Sequence, residues 1–186
     1  YLISDEPYRK LIYTEAPYPF IFKHHPRSIV ATSHSKDLGL AGERIGYIAV
    51  NPADTGKVDL LDALNFSLRT LGFVNAPALM QRVVSSIQRA TVDIGIYRAK
   101  RDLLFGSLKK IGYDCVEPDG AFYVFPKTPI PDDEEFVAQL QKELVLVVPG
   151  IGFGTPGFFR ASYCVDDWVI EGAIHGLEEA FKQANS

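Results

Sequence analysis

The stretch SHSKDLGLAGERIGYIAV, Ser33 to Val50, decides how this chain is read. It leaves an apolar run, SIVA, and ends in another, IGYIAV, so a strand is expected to run into a loop and out into a second strand. Lys36 stands at the start of that loop and Arg44 eight residues on, with Gly39 and Gly42 between them. An ordinary lysine, with a pKa of about 10.4, is an ammonium and no nucleophile. Desolvation beside another cation frees the amine to form a Schiff base with an aldehyde. A guanidinium such as Arg44 serves best as a fork for phosphate. The glycines let the backbone double back, and Ser33 and Ser35 add hydroxyls before the lysine. An aldehyde carrying a phosphate suits this set. Taken alone, the segment reads more readily as a solvated strand-to-loop connection. It is not a P-loop, whose lysine follows the glycines and precedes Ser or Thr, whereas Lys36 precedes Gly39 and is followed by Asp37.

Upstream, YLIS has the continuous apolar character of a strand buried on both faces, and DEPY follows at its end. Asp5 there could hold a protonated ring nitrogen, and Tyr8, three residues on, could bond a phenolic oxygen; as a plain alternative, DEPY is an acidic turn opened by Pro7. RSIVATSHS and RIGYIAVNP supply two further strands, the latter closing at an Asn-Pro turn. Ligands of open α/β sheets bind at the carboxyl ends of strands, and Asp5 and Lys36 both sit at such ends. Two helices are expected in DLLDALNFSLRT and APALMQRVVSSIQRA, with Pro77 in a first turn.

From Ile94 the pattern changes. Tyr97, Leu104, Leu108 and Ile111 recur at helical spacing among Lys100, Arg101, Lys109 and Lys110, which predicts a long amphipathic helix ending at Gly112. A turn at Pro118-Asp119-Gly120 flanked by strands follows, then an acidic-fronted helix in DDEEFVAQLQKEL. Next come strand VLVVPG, a glycine-rich loop and strand FFRASYCV. Alternation in that last strand puts Phe158, Arg160 and Ser162 on one face and Phe159, Ala161, Tyr163 and Val165 on the other. Arg160 could clamp a carboxylate with two hydrogen bonds, although an outward-facing strand arginine is the commoner case. A final helix starts at Asp166 and aligns Ile170, Ile174, Leu177 and Phe181. The tail of an α/β domain joined to a smaller α+β domain is expected, divided as residues 1–93 and 94–186.

Composition narrows the function classes. A net charge of −4 disfavours a general nucleic-acid binder. The four histidines lack zinc spacing, so no metal site is expected. Cys115 and Cys164 lie far apart and read as core or half-buried thiols of a reducing compartment. The longest uncharged run, Leu144 to Phe159, is too short and too rich in glycine and proline to span a bilayer. No secretion or lipidation pattern is read. The chain opens in an apolar run without methionine or a polar lead-in, as if cut in mid-sheet, so a fragment of a longer protein is expected.

Five elements in order, SDEPY, SHSK with Arg44 beyond it, PDGAFYVFP, VVPGIGFG and FFRASY, resemble the class I/II aminotransferases. These are fold type I pyridoxal-phosphate-dependent enzymes of the aspartate aminotransferase kind. The likeness runs over nearly the whole chain and corresponds to the C-terminal half of such an enzyme. It implies the C-terminal part of a large domain with a mostly parallel sheet and helices, followed by a small α+β domain. It also implies roles: Lys36 as the covalent anchor of pyridoxal phosphate and the shuttle of the α-proton, Asp5 on the pyridine nitrogen, Tyr8 on the ring's 3-oxygen, Ser33 and Arg44 on the phosphate, and Arg160 on the substrate α-carboxylate. The reaction implied is amino transfer between an L-amino acid and a 2-oxo acid, by a cytoplasmic enzyme that is a homodimer when full length and has no nucleic-acid or membrane partner. The absent half would supply a phosphate loop, a ring-stacking aromatic and an asparagine near the 3-oxygen, so the chain alone is expected to bind cofactor weakly and to be inactive. The same residues would serve a β-elimination of the carbon–sulfur lyase type, or the sensor domain of a transcription regulator. Apolar Leu71, Phe73 and Val74, near an expected subunit boundary, weakly favour a broad or apolar substrate.

Overall fold

A computed structural model describes residues 1–185 and divides the chain into two compact units, Tyr1–Val92 and Asp93–Ser186. In the first unit, strands β1 (Leu2–Asp5), β2 (Ser28–Ser33) and β3 (Gly46–Val50) form one sheet in the order β1-β2-β3. The sheet is mixed: β1 runs parallel to β2, with Asp5 beside Ala31, and β3 runs antiparallel, with Gly46 opposite Ser33. A one-turn helix α1 (His34–Asp37) and a 3-10 turn (Ala41–Glu43) join β2 to β3. Helices α2 (Lys57–Thr70) and α3 (Ala78–Ser86) follow, with Pro77 as the N-cap of α3 rather than inside its first turn.

Leu11, Tyr13, Ile29, Val30, Ile45 and Val84 make the core of this unit. Below the sheet, buried Asn51 holds the chain together at the Asn-Pro turn. Its amide donates to the carbonyls of Phe22 and His25, both at 3.0 Å, and to the Ser28 hydroxyl at 3.1 Å. The expectation that β1 is buried on both faces does not hold within this unit: Leu2 is 45% and Ile3 65% exposed. The strand is an edge strand of the sheet, and of its four residues only Ser4 is even half-buried. Helix α2 likewise buries no residue and leaves Val58 and Phe66 in solvent.

The second unit opens with α4 (Ile94–Ile111), started by Asp93, whose carboxylate accepts the Gly95 amide at 2.8 Å. It ends at Gly112, whose φ of 118° only glycine adopts without strain. Leu104 and Leu108 are buried as expected, but so is Arg101, which the pattern put on the polar face. Arg101 is held there by Asp102 at 2.6 Å, Glu117 at 2.9 Å and the Pro118 carbonyl at 2.7 Å. A buried guanidinium needs several acceptors, and these come from Asp102 within the helix and from the loop after it.

Strands β4 (Tyr123–Val124), β5 (Val148–Pro149) and β6 (Phe159–Ser162) form an antiparallel sheet in the order β4-β6-β5. The Pro118–Gly120 turn therefore has a strand only on its far side, and strand VLVVPG shrinks to the two residues Val148–Pro149. Helices α5 (Asp133–Lys142) and α6 (Asp167–Ala184) pack with α4 around Tyr113. The Tyr113 ring meets Phe136, Phe159 and Phe181 edge-on, and its hydroxyl donates to the Leu177 carbonyl at 2.9 Å. Burial pushes that phenol well above its ordinary pKa.

Candidate functional site

Because β1 and β2 are parallel, their carboxyl ends open on the same edge of the sheet. Asp5 ends β1. Ser33 ends β2 two residues beyond Asp5's partner Ala31, and α1 starts directly after it. The pairing extends past β1: the Glu6 amide donates to the Ala31 carbonyl at 2.8 Å, and the Thr32 hydroxyl to the Glu6 carbonyl at 3.0 Å. This fixes where the turn carrying Tyr8 leaves the sheet. Lys36 is not on a loop, as the sequence suggested, but in α1, and its Nζ lies 5.9 Å from the centre of the Tyr8 ring.

Arg44 reaches the same edge by a different device. The His34 amide donates to the Ile45 carbonyl at 3.0 Å, and Ser33 pairs with Gly46, so the chain returns directly beside α1. Gly46 is needed for that approach, since a Cβ there would stand 2.4 Å from the Thr32 carbonyl oxygen. Of the two loop glycines, Gly39 takes a left-handed φ of 68°, and the second left-handed residue is Arg44 itself, at 49°, rather than Gly42. The Arg44 guanidinium donates to the Ala41 carbonyl at 2.9 Å and is otherwise open to solvent. Ser33 is the N-cap of α1, yet its hydroxyl makes no capping bond.

A buried cluster that sequence reasoning missed stands behind Lys36. Its neighbour Asp37 is buried and faces His34 at 3.4 Å and Lys10 at 3.1 Å. Lys10 also donates to the carbonyls of Gln88 and Ala90, and the Asp37 carbonyl accepts the Val92 amide at 2.8 Å. Asp37 thus ties α1 to two distant segments of its unit. The i, i+3 spacing of His34 and Asp37 was readable; the partner at position 10 was not.

In the second unit, Arg160 lies in β6 on the face alternation assigned it, while Phe159, Ala161 and Tyr163 are buried on the other. Its guanidinium carbon is 4.0 Å from the Phe153 ring centre and 4.4 Å from that of Tyr123. Among the described residues it has no carboxylate partner. A half-buried cation held by aromatic faces keeps its N–H fork for an external anion. Phe153 and Tyr123 were not singled out in the sequence. The apolar groove of about 820 Å³ between α6 and the segment from Glu143 to Val147 is lined by neither Arg160 nor any residue of the sheet edge. Among the described residues no cluster of His, Cys, Asp and Glu could hold a metal, and no helix is long and apolar enough to cross a membrane.

A family model described as "Aminotransferase class I and II" matches residues 1–177. A relative from Methanocaldococcus jannaschii, described as "Probable aspartate aminotransferase", is 32% identical over 97% of this chain and 50% of its own length. A second protein of that organism, a "(5-formylfuran-3-yl)methyl phosphate transaminase", is also 32% identical, over 96% of this chain and 49% of its own. Among solved structures, an amino transferase from Eubacterium rectale superposes with a TM-score of 0.94 at 42% identity, covering 99% of this chain and 46% of that one. The chain spans about half the length of the curated relatives it matches.

Proposed function

The chain belongs to the class I and II aminotransferases, and on that premise we propose that it is the part of a pyridoxal-phosphate-dependent aminotransferase that carries the anchoring lysine. The reaction is amino transfer between an L-amino acid and a 2-oxo acid. The observation that carries this reading is the meeting of Lys36 and Tyr8 at the carboxyl edge of the sheet.

The donor set fits pyridoxal phosphate. The edge offers one carboxylate, one phenol, one amine, one uncommitted hydroxyl and one exposed guanidinium, which are the partners a pyridine nitrogen, a ring oxygen, an aldehyde and a phosphate require. When bound, the cofactor supplies an electron sink for the carbanion at the substrate's α-carbon. Asp5 would hold the proton on the pyridine nitrogen and Tyr8 would donate to the ring oxygen. Ser33 and Arg44 would bind the phosphate. Lys36 would be the covalent anchor and the base that moves the α-proton. Arg160 takes the substrate's α-carboxylate as a two-bond fork. No preference among amino acids follows, since two relatives of equal identity bear names for different substrates.

We infer a cytoplasmic homodimer for the whole enzyme. Exposed Leu71, Phe73 and Val74 support the subunit contact, and free Cys115 and Cys164 support a reducing setting, although Cys164 is more exposed than the sequence suggested. The 186-residue chain alone is expected to bind cofactor weakly and to turn nothing over. An absorbance scan over about 330–430 nm with added pyridoxal phosphate tests this, since the bound cofactor absorbs there. A strong, borohydride-trappable signal at stoichiometric cofactor would contradict it.

A further inference from the structure

Two neighbouring aspartates at the start of α5 point to different partners. Asp132 is the cap, its Oδ1 accepting the Glu135 amide at 2.9 Å. Asp133 turns away from its own helix. Its Oδ2 accepts the Ile151 amide at 2.7 Å and its Oδ1 the Gly157 amide at 3.3 Å. Those amides stand near the two ends of the glycine-rich segment 150–157. Asp133 is only 4% exposed, and among the described residues no lysine or arginine pairs with it. Backbone N–H groups therefore compensate its buried charge.

The segment is closed on itself as well. The Thr155 amide donates to the Gly150 carbonyl and the Gly154 amide to that of Ile151, both at 3.0 Å. A Cβ on Gly150 would stand 2.2 Å from the Thr155 carbonyl oxygen, so the closure admits no side chain there. Phe153 lies inside the clamped stretch. Its ring stands edge-on to Phe125 at 6.0 Å and packs on the Arg160 guanidinium at 4.0 Å. A continuous set of contacts thus runs from the Asp133 carboxylate through two amides and one aromatic ring to the cation.

We propose that Asp133 is a positioning residue for the anion site at Arg160: it clamps the 150–157 segment so that Phe153 lies over the guanidinium and orients its fork. The proposal rests on the reading that Arg160 takes the substrate carboxylate. A role confined to capping α5 would not need this geometry, because Asp132 already caps the helix and Glu134 and Glu135 already face its dipole.

The test uses the longest natural chain that contains these residues, with pyridoxal phosphate bound, and pyruvate as the carboxylate probe. Asp133→Asn, Phe153→Leu and Arg160→Ala are compared with an exposed control, Glu134→Gln. Three quantities are read: amide hydrogen exchange at Ile151 and Gly157, the Kd for pyruvate, and kcat against KM. In Asp133→Asn both amides should exchange faster and pyruvate should bind roughly tenfold more weakly, the equivalent of about 1.4 kcal/mol, with KM moving more than kcat. Phe153→Leu should weaken pyruvate binding while leaving the Ile151 amide protected, which keeps the test independent of how Asp133→Asn folds. Faster exchange with unchanged pyruvate binding in Asp133→Asn, or unchanged binding in Phe153→Leu, would overturn the proposal while Arg160→Ala still loses the probe. Unchanged binding in Arg160→Ala would overturn the reading of Arg160 itself, and the proposal with it.

Discussion

The Nζ of Lys36 lies 5.9 Å from the centre of the Tyr8 ring, although the two residues leave different strands. Parallel pairing of β1 with β2 brings them together, because it sends both chains out over one edge of the sheet. The amine meets an aromatic face bearing a phenol, an arrangement that serves a lysine working on a planar, oxygen-bearing ring.

Tyr8→Phe separates the ring from its hydroxyl. The variant should keep the fold, shift the absorbance of bound pyridoxal phosphate and weaken its binding by a few fold, in line with the loss of one hydrogen bond of about 0.5–1.5 kcal/mol. A titration followed by absorbance checks this. An unchanged spectrum and affinity would remove Tyr8 from the site.

Arg44 allows a test in which stability and binding part company. Its φ of 49° costs an L-residue about 1–2 kcal/mol that glycine does not incur. Arg44→Gly relieves that strain and loses an exposed hydrogen bond to Ala41. Urea unfolding should therefore show little net change or a gain, while pyridoxal phosphate binds more weakly. If the variant unfolds early and binds normally, Arg44 is structural.

In the second unit Tyr113 is the residue to remove. Tyr113→Ala should cost about 3–5 kcal/mol, as for other large aromatic truncations. Tyr113→Phe should cost about 0.5–1.5 kcal/mol, the loss of one buried hydrogen bond to the Leu177 carbonyl. Urea midpoints of the two variants measure both.

The Asp133 clamp depends on pH with a definite sign. Backbone donation from Ile151, followed by that from Gly157, holds its carboxyl below the usual range despite burial. The unfolded chain thus takes up the proton first as pH falls. The stabilisation is complete above the unfolded value of about 3.9 and is lost as pH falls through the lower, folded one. Urea midpoints of the wild type and Asp133→Asn should differ at neutral pH and converge in strong acid; a gap independent of pH would contradict this.

Gly176→Ala should destabilise by about 1–3 kcal/mol, the usual cost of overpacking. A Cβ there would meet Val145 at 2.7 Å and the Glu143 carbonyl at 2.8 Å, where α6 crosses the end of α5. Thermal unfolding gives the answer directly.

What was legible in the sequence was periodic or local. Period-two alternation assigned Arg160 to the face opposite Phe159 and Tyr163, and period-3.6 spacing found α4 with Leu104 and Leu108 inside. The strand end at Asp5 followed from where an apolar run stops, whereas the second strand was read through to Ser35 and stops at Ser33 because α1 begins there. Long-range pairing was not legible. Lys10 and Asp37 meet only because the sheet brings their segments together, and Glu117 rescues Arg101 from across a loop. Asp133 was hidden by its company, since an acidic first turn already explains a run of Asp and Glu. The exposure of Leu2 and Ile3 was invisible for another reason: an apolar run reports that a strand is suited to burial, not which elements cover it.

The role proposed for Lys36, the amine that anchors the cofactor, is open to direct measurement. The direct measurement is to mix the chain with excess pyridoxal phosphate, reduce with borohydride and map the modified peptide by mass spectrometry. The label should concentrate on Lys36 and disappear in Lys36→Ala. A label spread over other lysines with Lys36 unmodified, or one of equal extent in Lys36→Ala, would contradict that role.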